Sequence, residues 1–281
     1  MAEAVLPDRA MGVSRRRLDT LLLDRAIAAG ARLERGVTVR SIGDGEAITA
    51  DGAMLSSPNM IAATGKHDVA GLGRVRDSDP ALGLRVRLAA HPALGRMVGG
   101  AIELHMFEGG YAGLMLQESG EANLCIAVRK SRFARCGGKA EGLFAEIGAE
   151  VPALADRMAH ATPSPADAIG AVPYGWIARD ALPGIFRIGD QAGCIPSLAG
   201  EGNGIAIASG MAAGAALLDG DAVTISQFQA NLARRLQRPI GVANAVWRVC
   251  ERPSGAALAT GGMRLLPGLA GLLARATRVG N

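Results

Sequence analysis

Leu18, Leu21, Leu22 and Ala26 recur at helical spacing behind Ser14, a residue suited to an N-cap, and the pattern ends before Gly30, suited to a left-handed C-terminal cap. This predicts a helix from about Arg15 to Ala29. Short apolar runs follow at Val37 to Ile42, Ala47 to Ala50 and Asn59 to Ala63. The turn signals Gly43-Asp44-Gly45 and Asp51-Gly52 separate them, so they read as β-strands. From Gly83 the strands lengthen, over Leu84 to Leu88, Ala101 to Phe107, Tyr111 to Gln117 and Asn123 to Arg129, and Gly-containing turns between them predict an antiparallel meander. In the second of these strands Ile102, Leu104 and Met106 share one face and Glu103, His105 and Phe107 the other. The first face is expected to be core. The second is expected to line a cavity, with His105 as a substrate contact.

An Ala-rich helical stretch runs from about Lys139 to His160, followed by a connection punctuated by Pro163, Pro165 and Pro173. A short strand, Ile185 to Ile188, then runs into Gly189-Asp190, a loop, and an apolar helix from about Asn203 to Leu218 that reads as buried. A further helix from about Ile225 to Gln237 is expected to break at Pro239. The C-terminal stretch alternates apolar and basic residues, with Leu265 to Ala274 flanked by Arg264 and Arg275. That pattern suits either an amphipathic packing helix or one resting on a membrane surface.

With 281 residues, 49% hydrophobic and 20% charged, the chain can bury a sizeable core, which excludes a disordered or collagen-like polypeptide. Of its 30 basic residues 27 are Arg, scattered rather than striped, and aromatics make up only 3%, which argues against a nucleic-acid partner. Cys125, Cys136, Cys194 and Cys250 lie too far apart for a zinc motif or a disulfide framework, so no metal site and a reducing, cytoplasmic setting are expected. The N-terminal residues show no secretory signal pattern, and no window reaches the ~18 uncharged apolar residues of a membrane span.

The segment Gly189 to Gly204, GDQAGCIPSLAGEGNG, carries the chemistry. It places an acid at the end of a strand, a proline in the loop, and Gly193, Gly200, Gly202 and Gly204 ahead of a helix. Glycines there let a ligand approach backbone amides, and a helix N-terminus favours an electron-rich group. On local pattern alone, a glycine-rich turn with a solvated Asp explains it equally well.

This segment, extended through GIAIASG, resembles the second FAD-contacting motif of flavin-dependent oxidoreductases related to geranylgeranyl reductases, aromatic hydroxylases and electron-transfer-flavoprotein:quinone oxidoreductases. The helix VSRRRLDTLLLDRAIAAGA and the meander GGYAGLMLQESGEANLCIAV are similar to further parts of that family. The resemblance spans about residues 12 to 218. It implies an α/β (α+β) fold in which an incomplete Rossmann-like FAD-binding domain carries an inserted antiparallel substrate sheet and C-terminal helices. The implied division is 1–78 and 181–220 for the FAD part, 79–180 for the substrate domain and 221–281 for the tail.

By the same resemblance, FAD is the cofactor. Arg15 lies near its pyrophosphate, Asp190 (after Gly189) bonds the ribityl chain, Pro196 and Gly200 shape the loop, and Gly202 and Asn203 offer amides to the flavin ring. No catalytic side chain is singled out, since the flavin supplies the chemistry. The implied partners are a small apolar organic substrate, polyprenyl or quinone-like, and NAD(P)H or an electron-transfer protein.

The family's opening strand and GxGxxG loop have no counterpart before Gly12, so the sequence reads as the family without that segment. Thr64-Gly65 stands where hydroxylases carry Asp-Gly, which favours reductase or dehydrogenase chemistry. The remaining loop residues, Lys66, His67 and Asp68, make His67 a weak candidate contact, and Cys194 is either redox-active or a small buried hydrophobe. The rival expectation is an inactive fragment or interaction-only fold that cannot hold FAD.

Overall fold

Ser14 accepts a hydrogen bond from the Arg17 amide at 3.2 Å and starts the first helix where the apolar spacing places it. The computed structural model describes residues 1–7, 9–161, 163–220 and 224–279. In chain order its elements are α1 (Arg15–Ala28), β1 (Val39–Gly43), β2 (Glu46–Thr49), β3 (Met54–Ser56), β4 (Met60–Ala62), β5 (Ala81–Leu88), α2 (Pro92–Val98), β6 (Ile102–Phe107), β7 (Gly110–Leu116), β8 (Ala122–Arg129), α3 (Lys130–Arg135), α4 (Ala140–Glu150), α5 (Pro152–Ala159), β9 (Asp167–Val172), β10 (Ile185–Arg187), α6 (Gly202–Leu218), α7 (Ile225–Cys250), α8 (Pro253–Leu265) and α9 (Gly268–Thr277). The chain forms two compact units, residues 1–7, 38–81 and 169–281 in one, 8–37 and 82–168 in the other.

The second unit is built on the sheet strands β6-β7-β8-β5, whose β6-β7-β8 part is the expected antiparallel meander. Leu94 and Val98 of α2, Leu143 and Ile147 of α4 and Leu154 of α5 form one core with Val86, Leu88, Leu114, Leu124 and Ile126 of the sheet. The expected single helix over 139–160 is two, because Pro152 lacks an amide hydrogen and restarts the helix after Val151. Residues 8–37 group with this sheet rather than with the first unit. Gly12 lies where a Cβ would collide with the Leu116 carbonyl, and Ser14 bonds Glu118 through both its amide (2.8 Å) and its hydroxyl (2.6 Å). Helix α1 itself has no buried residue, so its leucine face is exposed.

The two faces of β6 are reversed from expectation. Phe107 is buried, Glu103 and His105 are partly buried, and Ile102 and Leu104 are exposed. Glu103 tolerates the covered side because Arg157 of α5 grips it with Nε and Nη2, each at 3.0 Å, and His105 Nε2 lies 2.9 Å from it. His105 is therefore engaged with Glu103. Burial alone would raise the Glu103 pKa, but the hydrogen bonds from Arg157 and His105 outweigh it and hold the carboxyl below its ordinary 4.5.

A carboxyl depressed in the folded state adds stability that is complete above its ordinary pKa and is lost as the pH falls through the lower folded value. Arg157→Ala is expected to cost about 1–2 kcal/mol near neutral pH, after discounting for partial solvent screening, and to flatten the fall in stability below that range. Urea melts of both proteins from neutral to acid pH check this. Parallel pH profiles would refute it.

In the first unit β1-β2-β3 form an antiparallel sheet, and β10 pairs with β4 in parallel, Ile185 beside Met60 and Arg187 beside Ala62. Helix α7 runs through Pro239 without breaking. Its apolar face, Leu232, Leu236, Ile240, Ala243 and Trp247, stays in phase across the proline and is buried, so packing outweighs the lost backbone bond. Thr224 and Gln227 close its start as a reciprocal capping box. Helix α6 is buried on one face only, through Ile205, Ser209, Ala213 and Ala216, whereas Ile207, Met211 and Leu218 are exposed. Among the described residues no single helix is long and apolar enough to cross a membrane.

Candidate functional site

Because β4 and β10 run parallel, their carboxyl ends open on the same side, and the loops that leave them meet there. Ile188 donates to the Ala62 carbonyl at 3.1 Å and closes the pair. The chain then turns through Gly189, whose φ of +55° favours a residue without a Cβ, into a 3-10 turn over Gly189–Gln191. Ser209 of α6 fixes this turn: its hydroxyl accepts the Gly189 amide at 2.9 Å and donates to the Ile205 carbonyl at 2.6 Å. Gly189→Ala is expected to cost about 1–2 kcal/mol from backbone strain alone, since a Cβ would meet only Ala206 at 3.6 Å. A shift in the urea midpoint reads the cost, and no shift would contradict it.

The loop after β4 is stitched to this turn by two buried side chains. Gln191 Nε2 donates to Thr64 Oγ1 (2.7 Å), the His67 carbonyl (3.0 Å) and the Gly65 carbonyl (3.2 Å), while its Oε1 is buried without a partner. Arg74 donates to the carbonyls of Gly65, Lys66 and Asp190 and to the Asp68 carboxylate. Asp68 is also paired with Arg76. On the other flank Arg187 reaches the Gln191 and Leu72 carbonyls and stacks over Trp176, its centre 4.8 Å from the ring. Burial pulls the pKa of both arginines down from the ordinary value, and Arg74 adds to the effect on Arg187.

The loop from Ala192 to Gly200 is equally well tied. Cys194 pairs through its backbone with Trp176 and Gly175, each at 2.9 Å. The Tyr174 hydroxyl lies 2.6 Å from Ser197 Oγ, which also accepts Lys66 Nζ at 3.3 Å. Burial, then the neighbouring Asp190, push the Cys194 thiol up to about 12, so it is a protonated, buried hydrophobe. Tyr174 and Trp176 pack this loop, Tyr174 edge-on to Trp247.

The turn then opens onto α6. Pro196 precedes a short 3-10 turn that Gly200 ends in the left-handed region at φ +67°. Glu201 caps nothing with its side chain. Its carboxylate instead binds Arg278 Nη1 (2.8 Å) and the Val279 amide (3.0 Å). Gly202 and Asn203 are exposed, and a Cβ added at Gly200 or Gly202 would meet nothing within 4 Å. The result is an open helix start with free space at Gly200 and Gly202.

Of the sequence-derived residues, the structure brings Gly189, Asp190, Pro196, Gly200, Gly202 and Asn203 into one continuous turn. Arg15 belongs to the other unit, where its exposed guanidinium pairs with Asp19 at 2.9 and 3.0 Å. Sequence reasoning missed Arg74, Gln191 and Ser209, which hold the turn. Their partners include main-chain groups more than 100 residues away, Asp190 for Arg74 and Gly65 and His67 for Gln191, which no local pattern signals. An open cleft of about 460 Å³, lined by Asp44, Gly45, Ser56, Ser57, Pro58, Pro183 and Gly184, lies at the opposite, amino ends of β4 and β10, where parallel sheets do not place their ligands.

No sequence-family profile matches the chain, and no curated protein matches it in sequence. Solved structures do match. The flavin-dependent brominase Bmp2 superposes with a TM-score of 0.72 at 14% identity over 94% of this chain and 70% of its own. HpxO of Klebsiella pneumoniae, solved with FAD and uric acid, gives 0.71 at 17% identity over 95% and 72%. The fold is that of flavin-dependent monooxygenases and halogenases. PqsL of Pseudomonas aeruginosa, described as a probable FAD-dependent monooxygenase, matches at 0.59 and 19% identity over 87% and 72%. The mixed α/β architecture with its antiparallel sheet and C-terminal helices thus agrees with the expected fold class.

Proposed function

We propose that the protein is an FAD-dependent oxidoreductase acting on a small organic substrate, with the flavin ring held against the Gly189–Asn203 turn. The observation that carries this reading is the uncapped, uncrowded start of α6 beside the Gly189–Gln191 turn, which Arg74, Gln191, Arg187 and Ser209 hold. The residues present fit the group: Gly202 and Asn203 are exposed at the helix start, and a Cβ added at Gly202 would meet nothing within 4 Å, which leaves room for a ring beside their amides. Bound FAD supplies the electron transfer. The chain's own task is to orient the ring with those amides, to hold its hydroxyl-bearing chain with Asp190, and to keep the turn rigid through Arg74 and Gln191.

The substrate reading rests on the sheet unit. The face of β6-β7-β8 opposite its helices carries Ile102, Leu104, Met106, Met115 and Cys125, with Asn123 bonded to Cys125 among them, a mostly apolar surface suited to an apolar organic molecule. HpxO and PqsL are solved with uric acid and 2-aminobenzoylacetate, which supports a small organic substrate and monooxygenase chemistry. Thr64 favours the reductase alternative, because its hydroxyl is taken up by Gln191 and the His67 carbonyl and no carboxylate stands there. Titration with FAD, followed by quenching of flavin fluorescence, tests the cofactor. Saturable one-to-one binding is expected, and its absence would overturn the reading. Oxygen uptake coupled to product would then separate a monooxygenase from a reductase.

A further inference from the structure

The last 30 residues, 252–281, contain four arginines, no acidic residue and no aromatic one. They carry α8 and α9, apolar helices bent by 115° at the Leu266-Pro267 break. Helix α9 packs on α7 and α8, and beyond it Arg278 and Val279 are anchored on Glu201, so the hairpin is a fixed part of the unit. Four leucines nevertheless face water: Leu258 is 75% exposed, Leu265 82%, Leu266 66% and Leu272 63%. Leu265 and Leu266 form the tip, and Leu258, seven residues before Leu265, shares its side of α8. Arg252 at the start of α8, Arg264 beside the tip and Arg275 one turn after Leu272 are exposed, and no ion pair involves these three among the described residues.

We propose that the α8–α9 hairpin docks the protein on an anionic lipid bilayer, with Leu265 and Leu266 below the headgroups and Arg252, Arg264 and Arg275 at the phosphates. At 1.5 Å per residue the helices are only about 20 and 15 Å long, against a hydrocarbon core of about 30 Å, so the pair lies in the interface and does not cross. The charge pattern selects this occupant. A second copy packed hairpin on hairpin would bring together two segments of four arginines each with no acid in either to neutralise them. A nucleic acid would find four leucines and nothing to stack on. A bilayer of anionic lipid offers phosphates over hydrocarbon, in the order that the arginines and leucines require. This inference is independent of the flavin reading.

Flotation of the full chain with vesicles of phosphatidylcholine alone, and of phosphatidylcholine with a quarter phosphatidylglycerol, tests it. Binding to the anionic vesicles is expected, weak on the neutral ones and reduced by salt. L265D/L266D should lower partitioning at least about tenfold, and R264Q/R275Q about fivefold per arginine, with thermal melts unchanged because all four positions are exposed. Failure of the parent to float with anionic vesicles would overturn the proposal. So would equal flotation of the parent and R264Q/R275Q, which keeps the test decisive if the aspartate variant does not fold. A dimer that L265D/L266D converts to monomer, without lipid binding by the parent, would instead assign the face to a second copy.

Discussion

Asp190→Ala is expected to weaken FAD binding about ten- to a hundredfold, corresponding to ~1.5–3 kcal/mol for a hydrogen bond to a charged group. Asp190 follows directly on buried β10, and its main chain is fastened twice: its carbonyl accepts Arg74 at 3.1 Å, and the flanking Gly189 amide donates to Ser209. The carboxylate therefore starts from a fixed position and loses little freedom when it accepts a bond from a ligand hydroxyl. His67→Ala is the matched control. His67 is exposed, and its part in the site is its carbonyl, which Ala supplies equally well to Gln191 and Thr64. Fluorescence titration of the three proteins with FAD decides the matter. Equal affinities for Asp190→Ala and the parent would remove the residue-level support for the cofactor site.

The largest loss of stability is expected from Arg74→Met. The Arg74 side chain is fully buried and serves three carbonyls and one carboxylate, on both the Gly65–Asp68 loop and the Asp190 turn. Methionine fills much of the volume but leaves those acceptors without a donor. The expected cost is about 2–4 kcal/mol, which lowers the melting midpoint by about 5–15 °C. Arg74→Lys should recover only part of this, because an ammonium cannot fork to acceptors on two loops. A scanning melt of both variants reads the effect, and a midpoint for Arg74→Met equal to the parent's would show that the loops hold each other without it.

The Asp190 turn and the Arg74 clamp differ in how they appear in the sequence. The turn is local: a strand of three residues, a Gly in the left-handed region, a proline and a run of glycines before α6 lie within about one motif, and each residue type has one main reason to be there. Arg74 is one of 27 arginines, most of them at the surface, and its partners are carbonyls up to 116 residues away. Nothing in its neighbours distinguishes it.

Periodicity alone thus determined that α1, α6 and the β6-β7-β8 meander exist and roughly where they end, because helix caps, turn glycines and alternation act within a few residues. It also determined that a glycine-rich turn sits between a strand and a helix. Which side of each element is covered was decided only by the tertiary structure. Alternation in β6 marks two faces but not the buried one, and the grip of Arg157 on Glu103 turned the polar face inward. Pro239 forbids a helix locally, yet α7 continues because its apolar face packs on both sides of the proline. Residues 8–37 join the sheet unit through Gly12 and Ser14, over 100 residues from their partners. Each of these outcomes depends on groups remote along the chain meeting in space, and the energy of those contacts exceeds the local preference that the sequence displays.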